Sequence, residues 1–182
     1  MTASNNREVV WMAVSMNSVG CPSLGDVVLE AAFAVHRNIG EITKLHFKIR
    51  APCSIGTLNQ FQMRSVCFAL NRTATRWCCN EGVPSLREFF HTLHTSMKQH
   101  GVDFIITKGS AQKLCLEKFL TKVGDKTPVY DAYILGMPRF QDYPEQMTQL
   151  CLDHDEAAPW NGVFCSSHRL AQILNFYLKL LE

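Results

Sequence analysis

The sequence has almost no net charge, no apolar run long enough to cross a membrane, and no internal repeat or low-complexity stretch. Eighteen Lys and Arg against 16 Asp and Glu leave +2 over 182 residues. A field that small forces neither nucleic acid nor a membrane surface as partner. Its basic residues cluster only mildly, at 44–50 and 108–126. Without an apolar run of about 20 residues there is no candidate spanning helix. The opening residues MTASNNREVV are polar and lead into a strand-like run, so no signal peptide is expected. What the chain has in quantity is cysteine, eight in all, with seven histidines. Cys78 and Cys79 are adjacent, and Cys67 and Cys115 lie in apolar, helix-like surroundings. That distribution fits reduced thiols of an intracellular chain, mostly small buried hydrophobes with a few as metal ligands.

The length is that of one domain, residues 1–182, with enough apolar content for a core. Periodicity divides it into alternating elements. EVVWMAVSM (8–16) is β-branched and apolar, suited to a central strand, and Ser18–Leu24 reads as a turn around Gly20 and Pro22. DVVLEAAFAVH (26–36) is a second strand, with a single acid, Glu30, inside its apolar run. ITKLHFKI (42–49) alternates as a half-exposed strand does. A helix is expected over Leu58–Leu70, with Phe61, Val66 and Leu70 toward the core, and then a loop over Asn71–Val83.

The second half follows the same alternation. Ser85 and Glu88 form a capping box before a stripe of Leu86, Phe89, Phe90, Leu93 and Met97. Val102–Thr107 is a short buried strand. Ser110 is placed to cap a helix whose apolar face is Leu116, Phe119, Leu120 and Val123, stopped at Gly124. Pro128–Leu135 is a further strand. The last helix starts near Val163 and carries Leu170, Ile173, Leu174, Tyr177 and Leu181 on one stripe. The order βββααβαβα predicts an α/β fold, a mixed sheet with flanking helices, and fits the ribonuclease H-like arrangement, an order that other mixed α/β folds share.

Chemistry concentrates at the C-terminal end. Cys151 and His154 make one C-x2-H pair, and Cys165 and His168 another. Thiolate and imidazole at that spacing suit one Zn²⁺, tying an irregular loop to the last helix. For the fourth ligand, Glu30 and His168 compete. A carboxylate buried without a partner is costly and a cation relieves it; the plainer reading of Glu30 is an edge residue facing solvent, and of His168 a helix residue facing water. His91 and His94 read as surface residues, and Trp11 as core. Lys108, Lys113, Lys118, Lys122 and Lys126 fall on a strip that either tracks phosphates or is a solvated helix face.

An exonuclease on this fold needs carboxylates to clamp two cations about 3.5–4 Å apart. The first strand offers Ala13, Val14, Ser15 and Met16 instead. In the helix after VDFIIT the matching turn is Leu114, Cys115 and Leu116, with Glu117 one position off. On the last helix Cys165 and Leu170 take the places of the His and Asp. No catalytic residue is assigned.

Glu30, the C-x2-H at Cys151–His154 and Cys165 at the last helix together resemble the Glu-Cys-His-Cys signature of Maelstrom proteins. VDFIITKGSAQKLCLEKFL and PVYDAYIL are similar to the strand–helix–strand part of that family's domain. The resemblance implies a DnaQ-type exonuclease fold that has lost its acids. It implies one structural zinc, held by Glu30, Cys151, His154 and Cys165. It further implies work in piRNA-guided transposon silencing in the germline, in perinuclear granules or the nucleus, with single-stranded RNA and pathway proteins as partners. RNA contact is then expected at Lys108 and Lys113, and single-stranded RNA cleavage or a pure scaffold role are the rival outcomes.

Overall fold

The computed structural model describes residues 8–38, 40–73, 75–139, 142 and 165–181. Strands β1 (Val10–Cys21), β2 (Gly25–Arg37) and β3 (Gly40–Lys48) come first. Helices α1 (Gln60–Thr73) and α2 (Leu86–His100) follow, then β4 (Phe104–Thr107), α3 (Ser110–Lys122), β5 (Val129–Asp131) and α4 (Ser166–Leu181). The sheet order is β3-β2-β1-β4-β5. β1 to β3 run antiparallel as a meander; β4 lies parallel to β1, and β5 parallel to β4. The molecule is thus α/β, a mixed five-stranded sheet with helices on both sides.

β1 is buried on both faces because it sits in the middle of the sheet. Val10, Met12, Val14 and Met16 join Phe33 and Val35 beneath Phe89, Leu93 and Met97 of α2 and Leu116 and Leu120 of α3. Trp11 and Ala13, on the alternate face, meet Ala32, Ala34 and Ile106 beneath Leu170 and Ile173 of α4. The two side-chain sets follow the period-2 alternation of a strand. Small residues on the α4 face (Ala13, Ala32, Ala34) let that helix come close.

Several local expectations hold. The capping box of α2 is formed, with the Ser85 amide donating to Glu88 Oε2 at 2.6 Å and the Glu88 amide to Ser85 Oγ at 3.3 Å. Gly124, at φ 70°, ends α3 in the left-handed conformation that glycine takes without strain.

Others are corrected. β1 and β2 pair past Met16 as far as Cys21↔Gly25, so the predicted turn at Ser18–Leu24 shrinks to residues 22–24. Ladder pairing outweighs the local preference of Gly20. α1 runs on to Thr73, and Phe61 lies on its outer face while Val66 is buried. Ser110 is the first residue of α3, not its cap; Gly109 holds the cap position. Val123 and Leu181 are exposed. β5 stops at Asp131, whose Oδ1 accepts from the amides of Tyr133 (2.9 Å) and Gly109 (2.8 Å), closing a side-chain turn.

His36 is buried and stacks on Trp11, ring centroids 4.5 Å apart, and its Nδ1 has no hydrogen-bond partner among the described residues. Burial pushes its pKa below the usual 6.5; Glu41 pulls it up and Lys44 pushes it further down. The unfolded chain therefore takes up a proton near pH 6.5 that the folded ring refuses. Stability is expected to fall as pH drops below 6.5 toward the folded pKa. His36→Phe should flatten that part of a melting-temperature profile measured from pH 7.5 to 5. A variant as acid-sensitive as wild type over that range would remove His36 from the account.

Candidate metal centre

Glu30 reaches its place through an irregularity in the sheet. Asn17 pairs with Glu30, but the next β1 residue, Ser18, pairs with Val28, so Leu29 is an extra residue on β2. Such a bulge re-aims the side chains beside it. Glu30 is 3% exposed, which rules out its facing solvent. His46, on β3, is opposite Ala32 and hence diagonal to Glu30 on the same face. Cys165 stands immediately before α4 and is fully buried.

One ligand atom from each of Glu30, His46 and Cys165 lies within 4.8 Å of the others. His46 Nε2 is 2.6 Å from Glu30 Oε1, and the His46 side chain is 15% exposed. The Ser166 amide donates to the same oxygen at 3.0 Å. Asn17 Nδ2 donates to Glu30 Oε2 at 2.8 Å, and Arg169 Nη1 donates to Asn17 Oδ1 at 2.6 Å. Burial lowers the Arg169 pKa to about 10, while the negative charges of Glu30 and Cys165 oppose the shift. The group thus gathers two acidic ligands, an imidazole and the half-buried cation of Arg169 where β1, β2, β3 and α4 meet.

This donor set can hold one metal ion. Thiolate, imidazole and carboxylate suit a borderline cation such as Zn²⁺, whereas Mg²⁺ and Ca²⁺ call for oxygen cages. Tetrahedral bonds of ordinary length put N and O ligands about 3.3 Å apart, and S about 3.6 Å from either. The 2.6 Å His46–Glu30 contact would open by about 0.7 Å, and any wider separation would close by at most about 1.2 Å. Ser166 Oγ, next to Cys165 in the chain, is buried without a partner among the described residues.

Of the ligands expected from sequence, the structure brings Glu30 and Cys165 together. Cys151 and His154 lie outside the described residues. His168 belongs to α4, and its side chain lies outside them too. His46 was missed: ITKLHFKI marks it as a residue of a half-exposed strand. The available signal was strand pairing, which sets His46 two residues from Lys48, the partner of Glu30.

The lysines expected to meet RNA are placed differently. Lys108 is 8% exposed, and its ammonium donates to the carbonyls of Met137 (2.9 Å) and Pro138, over the Tyr133 ring. Burial lowers its pKa, with Asp131 and Asp142 pulling back. Any phosphate reaching it would have to displace two carbonyls. Lys113 is half-buried, 3.7 Å from Glu117. His94, read as a surface residue, is half-buried and bonds Asp125 at 3.0 Å.

Around Val14 and Met16 of β1 and Thr107 of β4 the side-chain hydrogen bonds run through neutral groups. The Met16 amide donates to Gln112 Oε1 at 2.9 Å, and Thr107 Oγ1 donates to the Val14 carbonyl at 2.9 Å and to Gln112 at 3.1 Å. Leu116 and Leu170 are core residues. The described helices include none long and apolar enough to cross a membrane.

Compared with known proteins, the chain matches no family model and no curated sequence.

Proposed function

We propose that the chain is a ribonuclease H-like domain of Maelstrom type, held together by one structural zinc, that binds RNA or protein in piRNA-guided transposon silencing rather than cutting nucleic acid. The observation that carries this reading is the buried Glu30–His46–Cys165 group. A soft, mixed ligand set stands where the last helix meets the sheet, and the family resemblance would put Cys165 where an exonuclease carries its His. Glu30, His46 and Cys165 would hold the ion, with Cys151 and His154 as further candidates. Bound there, zinc would supply cross-linking of sheet to helix. The sheet order β3-β2-β1-β4-β5 supports the fold assignment, because a three-strand meander continued by two parallel strands is the ribonuclease H-like arrangement. Gln112, Thr107 and Leu116 beside β1 and β4 offer no cage for Mg²⁺. The germline pathway rests on the family resemblance alone.

Single-stranded RNA is the partner that a specific observation favours. α1 exposes Phe61 (72%) and Phe68 (70%), two turns apart, with exposed Arg64 between them. Residues 60–80 contain Arg64, Arg72 and Arg76 and no acid. Unpaired bases stack on aromatic faces for about 1–3 kcal/mol each, with cations nearby on the phosphates. Fluorescence anisotropy with a labelled single-stranded RNA should show salt-dependent binding, weakened about tenfold or more in Phe61→Ala/Phe68→Ala, and the RNA should survive Mg²⁺ uncut. Equal affinity of the double variant would move RNA off α1. Cleavage in Mg²⁺ would overturn the non-nuclease reading, and no binding at all would leave the protein scaffold.

A further inference from the structure

We infer that Asn17 and Arg169 are positioning residues for the metal centre, holding the Glu30 carboxylate in aim before a metal arrives. This assignment rests on the metal reading of Glu30, His46 and Cys165. Asn17 sits on β1 directly opposite Glu30, at the bulge, and is itself buried. Its amide is fixed by its two partners. The oxygen must face Arg169, which only donates, and the nitrogen must face the carboxylate, which only accepts. The result is a relay from α4 through β1 to β2: Arg169 orients Asn17, and Asn17 holds Oε2.

The other carboxylate oxygen, Oε1, carries the contacts to His46 and to the Ser166 amide. A metal held by Glu30, His46 and Cys165 would replace the direct His46–Glu30 contact, and Asn17 could still hold the carboxylate. The relay therefore serves both the metal-free and the metal-bound ligand set. Ligand-orienting partners of this kind typically change metal affinity 10–100-fold when removed.

The test is a Co²⁺ titration of the chelator-treated full chain, since zinc itself has no d–d spectrum. The thiolate-to-cobalt absorption reports a cysteine ligand, and its loss or weakening in Cys165→Ser assigns it to Cys165. Wild type should bind, and Asn17→Leu, which keeps the volume and removes both hydrogen bonds, should bind about 10–100-fold more weakly. Arg169→Met should weaken binding, and Arg169→Lys should recover part of the loss, because the cation returns. Leu93→Ala, in the core on the opposite face of the sheet, should lose stability and keep wild-type affinity. Asn17→Leu binding as tightly as wild type would overturn the positioning role and leave the metal site standing. Equal weakening in Leu93→Ala would overturn it too, by reducing the effect to stability. A wild type with no thiolate band would remove the metal centre and this assignment together.

Discussion

Glu30→Ala is expected to lower the unfolding free energy by about 3–5 kcal/mol and to abolish metal binding. The side chain is buried, and four groups point at it: His46, Asn17, the Ser166 amide and, through Asn17, Arg169. Truncation leaves His46, Asn17 and the Ser166 amide without the carboxylate they bind, and takes a negative charge away from beside Arg169. Unmade hydrogen bonds at buried groups cost about 1–3 kcal/mol each, and an uncompensated charge costs more. Glu30→Gln keeps the shape and an acceptor oxygen, so its loss in chelator should be smaller. Denaturant unfolding in chelator measures the protein's own share. Added zinc at about 100 times its Kd should then stabilise wild type by about 2.7 kcal/mol and neither variant. A Glu30→Ala protein as stable as wild type would mean that the carboxylate contributes nothing to the fold.

Phe89→Ala is expected to cost about 3–5 kcal/mol, and Phe61→Ala no more than about 0.5 kcal/mol. Phe89 is fully buried where α2 crosses the sheet, with ring contacts to Phe33 (6.2 Å), Phe47 (5.4 Å) and Phe90 (5.4 Å). Its removal leaves a cavity bounded by rigid strands, which cannot collapse to fill it. Phe61 has the same chemistry but meets solvent. Urea unfolding of the two variants separates the positions. Comparable losses would place Phe61 in the core, as helical spacing alone suggested.

That pair shows what the sequence carried and what it did not. The meander, the α2 capping box and the Gly124 stop were legible because each is set by near neighbours: strand alternation, a reciprocal side-chain pair, a left-handed glycine. Phe61 was misplaced because α1 has no single dominant stripe, and which face it buries depends on the β1–β2 hairpin it packs against. The hairpin itself ran longer than Gly20 and Pro22 suggested, since ladder pairing between residues 18–21 and 25–28 is a non-local choice. At the site, Glu30 stood out as a lone acid in an apolar run, and Cys165 by its spacing to a histidine. His46 did not, because its neighbours Lys44 and Lys48 make β3 look merely half-exposed. Lys108 looked like one of a row of surface lysines. Its position at the end of β4 turns it inward instead, onto carbonyls of the segment after β5.

The most direct measurement is the metal content of the purified full chain by native mass spectrometry, for wild type, Glu30→Gln, His46→Ala and Cys165→Ser. The account predicts one zinc per wild-type chain, lost in Cys165→Ser and Glu30→Gln and weakened in His46→Ala. A folded wild type that carries no metal, or zinc retained through both Cys165→Ser and Glu30→Gln, would contradict it.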